Sequence, residues 1–450
     1  MHPEHLLACT EGKTREFKRD SSSPAGVLRT LVAFANTSGG VLVIGVDDRT
    51  RNVRGVASPL DVEERLANIV SDGIRPLLSP EISIVPWRQT HLVVVEVFPS
   101  SLRPHHVRKE GSERGIYVRV GSSNRRADST SVAEMRRRTR NESFDEQPMP
   151  ELSSEAIDFR AASELFADVK RLKRSDLLTL RLTAKHQGRT VPTVAGILLF
   201  GADREAHFPD AWIQAGRFGG RDRTKILDST SLHSLPLCAI GECLDFIRKH
   251  VFVEVRIEGL RRKDAWPVPL PAIREALTNA VVHADYSQSG APIRVSIFDD
   301  RIEFENPGLL PFGLTVEDLR HGISRLRNRA VGRVFHELGQ IEQWGSGIQR
   351  MTSACRDAGL PEPQLEEIGT HFRVTLSSER KQAPVLDEID QAILDMLADG
   401  QGRSTSEISK PIGRSTRATR TRLLSLIGRG MIREVGTGPR DPKRKYFAVR

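Results

Sequence analysis

The sequence predicts a multidomain α+β protein made of three consecutive blocks, residues 1–140, 150–376 and 384–450. The chain has 450 residues, and at about 150 residues per domain this length predicts three domains. Two polar segments, residues 136–155 and 377–388, interrupt the periodic ones and are typical of linkers. Strand-like and helix-like patterns mix in the first two blocks, whereas three helical patterns precede two strand-like ones in the third.

The composition favours a polyanionic partner. Lys and Arg total 67 against 58 Asp and Glu, which gives a formal net charge of +9 and a sequence pI near 9.6. This balance favours nucleic acid over a membrane surface, because no basic amphipathic helix with a bulky apolar face is evident. Arginine dominates the basic residues, as forked phosphate donors would require, but a GC-rich genome would produce the same bias. DNA or RNA is the expected partner, and no membrane is expected.

The sequence also predicts a cytoplasmic location. The four cysteines lack metal-ligand spacing and are typical of free thiols in a reducing compartment. The N-terminal residues lack a charged start followed by an apolar stretch. The longest apolar run, "VAGILLF", is far too short to span a bilayer.

The first block begins with a strand, a helix and a second strand. "REFKR" alternates as a short strand, and "SSSPAGVLRTLVAFAN" predicts a helix with Ser at the cap and Pro at the first helical position. Gly39 and Gly40, which accept positive φ, end that helix. "VLVIGVDD" and "HLVVVEVFP" predict buried strands, and "GIYVRVGSSNRRA" predicts a strand that runs into a basic loop.

These segments resemble the Schlafen/AlbA-type domain over about the first 135 residues. The resemblance is carried by E-x4-EFK, "LVAFANTSGGVLVIGVDD" and "YVRVGSSNRRA". In animal Schlafens of the nuclease type, two glutamates and an aspartate form a metal-dependent RNA-cleaving site. The resemblance places these roles on Glu11, Glu16 and Asp48, with Asp47 as the alternative aspartate.

Three carboxylates of this kind would suit Mg²⁺ or Mn²⁺, and Lys18 would then face the scissile phosphate. Two alternatives stay open: a nucleic-acid surface that does not cleave, or the solvated rim of a sheet in which only Phe17 is buried. Arg125 and Arg126, in the predicted loop 121–128, either hold a backbone phosphate or belong to an ordinary turn.

The middle block opens with "TVAGILLFGADREAHFPDAWIQAGRF", which predicts a buried strand, a polar loop and a second strand. Later, "PAIREALTNAVVHA" predicts a helix with Pro271 in its first turn. Glu275, Asn279 and His283 follow one another at intervals of four on one face of this helix. A polar row among apolar residues is costly unless it finds partners or lines a pocket.

This helix resembles the N-box of the GHKL (Bergerat) ATP-binding fold, an α/β sandwich, in the variant of bacterial regulators once grouped with a DNA helicase. The resemblance extends over residues 178–376. It implies ATP with Mg²⁺, with Glu275 activating water and Asn279 coordinating the metal. "RVSIFDDRIEFENPGLLP" would supply a hairpin, and "EQWGSGIQRM" a glycine turn whose Gly345 and Gly347 admit phosphates to backbone N–H groups.

The superfamily's Asp-x-Gly-x-Gly adenine motif is absent from the sequence. "ENPG" stands in its place and offers Asn306 and Gly308. The alternative to nucleotide binding is an internal hydrogen-bond network of Glu275, Asn279, His283 and Tyr286.

The third block resembles a winged helix-turn-helix domain over nearly all of residues 384–450. "EIDQAILDMLADG", "STSEISKPIG" and "RSTRATRTRLLSLIGRG" predict three helices, the last with Leu423, Leu424 and Ile427 toward the core. "MIREVGTGPRDPKRKYFAVR" predicts a two-stranded wing. The resemblance implies that the third helix enters a DNA major groove and that the wing contacts the backbone. The predicted DNA contacts are Arg414, Arg417, Arg420, Lys443, Arg444 and Lys445.

Two functions follow from these patterns. The first is a DNA-binding transcriptional regulator whose middle domain senses a nucleotide or mediates dimerisation, with a homodimer expected because helix-turn-helix proteins commonly pair on two-fold sites. The alternative is a Schlafen-type metal-dependent nuclease that acts on RNA, tRNA or single-stranded DNA in defence or stress. A basic winged helix used for protein contacts is the remaining interpretation of the third block.

Overall fold

The computed structural model describes two compact units, Met1–Glu379 and Arg380–Arg450. Both contain helices and sheets, so the chain is a multidomain α+β protein as predicted. No helix in the described part of the chain has the length and apolar character needed to cross a bilayer. The described residues are 7, 11–48, 52–251, 254–258, 261–265, 267–342, 345–379, 387–435 and 444–448.

A four-stranded sheet forms the centre of the first part of the larger unit. Its strands follow the order Arg15–Lys18, Gly40–Ile44, Thr90–Val97 and Glu81–Trp87, the first pair parallel and the others antiparallel. Two short antiparallel pairs join Ile74–Arg75 to His106–Val107 and Tyr117–Val120 to Ser123–Arg126. The helices are Pro24–Asn36, Pro59–Gly73, Gly111–Arg114 and Ser129–Thr139, with 3-10 turns at Arg108–Glu110, Phe144–Glu146 and Ser154–Ala156.

The predicted strands and the first helix are confirmed here, and Pro24 and Gly39 have the expected roles at the helix ends, whereas Gly40 lacks the expected positive φ. Pro24 opens the helix Pro24–Asn36. Gly39 has a φ of 75°, and a Cβ on Gly40 would approach the Phe34 ring to 2.7 Å. Phe17 is completely buried.

Two expectations for this part are wrong. The basic loop is the second strand of the hairpin with Tyr117–Val120, and the turn falls at Gly121 with a φ of 57°. The segment interpreted as a linker begins inside the helix Ser129–Thr139, whose last turn carries Arg136, Arg137 and Arg138. Basic side chains there complement the partial negative charge of a helix C-terminus.

The second part of the larger unit is built on a six-stranded sheet. The predicted hairpin, formed by Ile293–Ile297 and Arg301–Pro307, is antiparallel and lies at the centre of the sheet. On its other side Ile293–Ile297 pairs in parallel with Ile213–Phe218. The strand order is Ile226–Leu232, Ile213–Phe218, Ile293–Ile297, Arg301–Pro307, His371–Ser377, Gln364–Ile368. Two further antiparallel pairs are Thr183–His186 with Arg189–Pro192 and Glu254–Glu258 with Arg261–Ala265.

The helices of this part include the predicted polar-row helix, and Pro236–His250 and Leu270–His283 pack on the sheet. The helices are Phe159–Leu165, Arg174–Thr179, Val194–Phe200, Arg204–His207, Pro236–His250, Leu270–His283, Val316–Arg320, Arg329–Glu337 and Gly347–Asp357. The predicted strand "VAGILLF" is one of them, because the Thr193 hydroxyl accepts a hydrogen bond from the Gly196 N–H and caps a helix. All seven residues are buried, so the helix lacks the periodicity that distinguishes helix from strand.

The first and second parts pack against each other within the larger unit. Lys13 pairs with Glu367 at 2.6 Å, and the Ser38 hydroxyl donates to the Leu314 carbonyl at 2.9 Å. The buried Asp145 carboxylate accepts a hydrogen bond of 2.9 Å from the Val331 N–H. These contacts span long sequence separations, and both parts lie in the one compact unit Met1–Glu379.

The smaller unit contains three helices followed by an antiparallel strand pair, as predicted. The helices are Glu388–Leu397, Thr405–Ser409 and Thr416–Gly428, and the strands are Ile432–Val435 and Lys445–Ala448. Leu423 is buried and Ile427 packs against the core, but Leu424 is 52% exposed, contrary to its predicted place in the core. Leu426, two residues later and about half a turn around the helix axis, fills the core instead.

A buried arginine binds the first strand to the hairpin. The Arg119 side chain has no exposed surface and donates to the Gly12 carbonyl at 3.0 Å and to Asn124 Oδ1 at 2.8 Å. It also contacts the Arg15 carbonyl at 3.1 Å and Glu16 Oε2 at 2.5 Å. A guanidinium does not lose its proton in proteins, so its burial depends on these acceptors.

We therefore expect Arg119→Met to lower the free energy of unfolding by about 3–5 kcal/mol, because it removes one partner of a buried ion pair. Urea denaturation of the full chain measures the change. Arg125→Met, on the exposed part of the same hairpin, is the matched control and should shift stability by less than about 0.5 kcal/mol. Equal midpoints for the two variants would contradict a structural role for Arg119.

Candidate functional site

An open cleft lies between the Glu275 helix (Leu270–His283) and the Gly347 helix (Gly347–Asp357). We call it the nucleotide cleft, after the ligand that the sequence predicts for these residues. It contains about 970 Å³ of space not filled by atoms, including open solvent at its mouth. It brings together all the middle-block residues predicted from the sequence: Glu275, Asn279, His283, Asn306, Gly308, Gly345 and Gly347.

The carboxylate of Glu275 is engaged by neighbouring side chains. Its Oε1 accepts a hydrogen bond of 3.1 Å from Asn279 Nδ2, and its Oε2 pairs with Arg350 at 2.8 Å. Arg350 pairs with Glu342 as well. Tyr286 is outside this group, because its hydroxyl donates to the Val281 carbonyl at 2.8 Å. The alternative to nucleotide binding was an internal hydrogen-bond network of Glu275, Asn279, His283 and Tyr286. Only part of that network is present, the hydrogen bond between Asn279 and Glu275.

The glycine turn is packed tightly against the Glu275 helix. Gly345 has a φ of 67°, and a Cβ there would approach Ser324 Oγ to 2.7 Å. A Cβ on Gly347 would overlap Glu275 Oε1. Position 345 thus requires glycine for its backbone conformation, whereas a side chain at position 347 would have to displace the Glu275 carboxylate.

The "ENPG" segment ends the strand Arg301–Pro307 at the opposite wall. Asn306 is buried, and its amide donates to the Pro307 carbonyl at 3.0 Å. Gly308 has a φ of 98°, and its N–H donates to the Thr370 carbonyl at 2.8 Å. The remaining wall is mainly apolar and includes Leu309, Leu310, Leu314, Ile348, Phe372 and Val374.

His283 contributes a neutral side chain to the cleft. Burial, together with the positive charges of Arg327 and Arg138, lowers the pKa of its imidazole to about 4. The ring therefore stays uncharged near neutral pH and can contact an apolar or polar group without adding positive charge.

The predicted carboxylate set of the first block is placed differently from the expectation. Glu11 Oε1 accepts a hydrogen bond of 2.9 Å from the Phe17 N–H, and Glu16 pairs with Arg119 and, at 3.3 Å, with Lys18. Asp48 is exposed. Among the residues that the structure describes, no group of three or more His, Cys, Asp or Glu is arranged to hold a metal ion.

Glu11, Glu16 and Asp48 are therefore not arranged as a metal site in the described part of the chain, where Glu16 pairs with Arg119 and Lys18. Asp47, the alternative aspartate, pairs with Arg54 at 2.9 Å. Cleavage of RNA or single-stranded DNA by these residues stays a prediction.

The predicted nucleic-acid contacts are mostly exposed. Arg125 and Arg126 lie on the outer strand of the hairpin, and Arg126 is 3.9 Å from Glu110. In the smaller unit Arg414, Arg417, Arg420 and Lys445 are exposed. Arg444 pairs with Glu434 at 3.3 Å, and Lys443 lies outside the described residues.

Sequence reasoning missed three arginines that organise these regions, Arg119, Arg327 and Arg350. Arg119 gave a usable signal, because it stands inside the apolar strand "YVRV" and buried arginines require partners. Arg327 and Arg350 occur in polar segments and gave no such signal.

Two family models match the chain. Residues 11–128 match "Schlafen, AlbA_2", and residues 290–376 match "Putative ATP-dependent DNA helicase recG C-terminal". The second range includes Asn306, Gly308, Gly345 and Gly347 but begins after the Glu275 helix. No curated protein matches the chain.

Solved structures include two similar chains. The DIP2311 protein from Corynebacterium diphtheriae is 20% identical, with 99% of this chain and 96% of that chain covered and a TM-score of 0.45. The N-terminal domain of a putative ATP-dependent DNA helicase RecG-related protein from Nitrosomonas europaea is 29% identical, with 28% and 90% covered and a TM-score of 0.23. TM-scores this low carry no argument. The two family matches show that the chain contains a Schlafen AlbA_2 domain and a recG C-terminal-type domain.

Proposed function

We propose that this protein is a DNA-binding transcriptional regulator whose smaller unit binds DNA and whose nucleotide cleft binds ATP as a regulatory ligand. The observation that carries the proposal is the sorting of arginines around the helix Thr416–Gly428. The family matches support a nucleic-acid-related protein with an ATP-binding type of domain.

The third helix of the smaller unit has distinct inner and outer faces. Thr419, Leu423 and Leu426 are buried, whereas Arg417 and Arg420 are exposed one turn apart on the outer face. The Ser415 hydroxyl caps the helix by accepting from the Ala418 N–H at 3.3 Å. The positive end of the helix dipole therefore adds to these arginines, which favours binding of phosphates.

Arg422 of the same helix has a different environment. It pairs with Asp387 at 2.6 Å and with Asp390 at 2.7 Å, and so fastens the third helix to the first. Residues 380–450 contain 15 Lys and Arg against 8 Asp and Glu, so most of the chain's positive excess belongs to this unit. This concentration supports a DNA partner.

The nucleotide cleft has the residues that a nucleotide would need. The apolar wall with Ile348 and Phe372 suits a base, and the turn around Gly345 and Gly347 offers backbone N–H groups to phosphates. Bound ATP with Mg²⁺ would supply a polyphosphate and a divalent cation, to which Asn279 would contribute an amide oxygen. Because Arg350 holds Glu275, we propose binding rather than hydrolysis, in a homodimer that binds two-fold DNA sites.

Replacing Arg417 and Arg420 together by Ala should weaken DNA binding about 10- to 100-fold at 0.1 M salt. The slope of log K against log salt should fall by about 2, since each lost phosphate contact removes about 0.9 from it. Fluorescence anisotropy with duplex DNA over a salt series measures both quantities.

Arg422→Ala is the control, because it removes a positive charge from the same helix but from the paired side. It should lower thermal stability and leave the salt slope nearly unchanged. If the double variant binds DNA like the wild type, the assignment of this helix is wrong.

Gly347→Ala should lower ATP affinity at least about tenfold, equivalent to about 1.4 kcal/mol. The added methyl group would overlap Glu275 Oε1 and displace that carboxylate from Asn279 in the cleft. Isothermal titration calorimetry with ATP and Mg²⁺ measures the loss.

Gly241→Ala is the matched control, since a Cβ there meets nothing within 4 Å, and it should bind ATP normally. Equal ATP affinity for both variants would remove the glycine turn from the site. DNA binding by the smaller unit should persist in both.

A further inference from the structure

Six arginines line a second cleft, beside the nucleotide cleft and between the first and second parts of the larger unit. We call it the arginine cleft. It is bounded by the helix Ser129–Thr139 on one side and by residues 324–329 on the other. Its arginines are Arg103, Arg137, Arg138, Arg325, Arg327 and Arg329, and its lining carboxylates are Glu134, Glu142 and Asp285.

Internal ion pairs account for three of the six guanidinium groups. Arg327 pairs with Glu134 at 2.7 Å, and Arg138 shares the same carboxylate at 3.1 Å. Arg329 pairs with Glu146 at 2.7 Å. One glutamate thus serves two arginines, which leaves little negative charge for the others.

Arg103, Arg137 and Arg325 make no ion pair within the described part of the chain. Arg103 donates to the carbonyls of Ser100 and Thr37, at 2.6 and 3.3 Å. Arg137 lies over the Phe144 ring at 5.3 Å, and Arg325 is exposed. These are the groups that an anion could engage without first breaking an ion pair.

The mutual repulsion of the arginines in the cleft favours the binding of an anion there. Burial and the nearby charges of Arg138 and Arg325 lower the pKa of Arg103 to about 10. The pKa of Arg138 is lowered as well, first by burial and then by Arg327 and Arg325 against the opposing effect of Glu134. An anion among these groups would relieve their mutual repulsion.

The arginine cleft is continuous with the nucleotide cleft. Ser324, Arg325 and Leu326 line both. Ser324 is also the side chain that a Cβ on Gly345 would approach, so the glycine turn expected to face phosphates adjoins the entrance to the arginine cleft.

We infer that the arginine cleft binds the terminal phosphates of a nucleotide whose base occupies the nucleotide cleft. Arg137 and Arg103, from the first part of the chain, and Arg325, from the second, would then grip one polyphosphate. Forked guanidinium donors match phosphate oxygens in geometry. This inference rests on the proposed ATP binding and makes the first part of the chain a component of that site.

The test compares ATP, adenosine and inorganic tripolyphosphate by calorimetry on the full chain at constant ionic strength. The variant Arg137→Gln combined with Arg325→Gln should lose about 10- to 100-fold in affinity for ATP and for tripolyphosphate, and should bind adenosine like the wild type. Arg160→Gln is the control, because Arg160 is exposed and pairs with Glu164 on the helix Phe159–Leu165. The thermal midpoint without ligand confirms that the variants are folded.

The outcomes separate this inference from the function on which it rests. Unchanged ATP affinity in the double variant would overturn the arginine cleft as a phosphate site and leave ATP binding intact. No binding of ATP or adenosine by the wild type would overturn both proposals. Loss of single-stranded RNA binding with unchanged ATP affinity would make the cleft a nucleic-acid contact and overturn the inference.

Discussion

The larger unit depends on the burial of one guanidinium group, that of Arg327. Its side chain is only 7% exposed, and it pairs with Glu134 from the first part of the chain and, at 3.6 Å, with Asp285 from the second. It also donates to the Leu309 carbonyl. Burial alone would raise the pKa of Asp285, but the charge of Arg327 helps to lower it. Because the guanidinium stays charged, the two carboxylates must remain beside it, and the Glu134 pair ties the first part of the larger unit to the second.

This constraint changes the interpretation of the "ENPG" segment. A Cβ on Gly308 would approach Asp285 Cβ to 2.8 Å and Arg327 Cζ to 3.1 Å. Glycine is therefore needed there to admit Arg327, whether or not a base lies nearby. The same arginine fixes the chain next to Ser324 and Arg325, which line both clefts. Interdomain packing and the shape of the proposed nucleotide site thus have a common cause.

The sequence predicted the local structure well where one element carried its own signal. Pro271 and the four-residue spacing were sufficient for the Glu275 helix, and the alternation around residues 293–307 was sufficient for the hairpin. The helix Val194–Phe200 was missed because a fully apolar segment has no periodicity. The roles of the site residues were harder, since Glu16 was assigned to a metal without knowing that Arg119, 103 residues later, occupies its carboxylate. Pairings of this kind depend on the tertiary fold.

The two basic regions differ in a way that matches the ligands proposed for them. In the smaller unit, Arg422 pairs with Asp387 and Asp390, while Arg414 and Arg417 are exposed at the start of the third helix. Exposed cations on a single helix can contact successive phosphates of a long chain, but they cannot surround a short one. In the arginine cleft, arginines from two parts of the chain line one pocket, which suits a compact polyphosphate. The placement of the arginines, more than their number, therefore favours a different phosphate compound in each region.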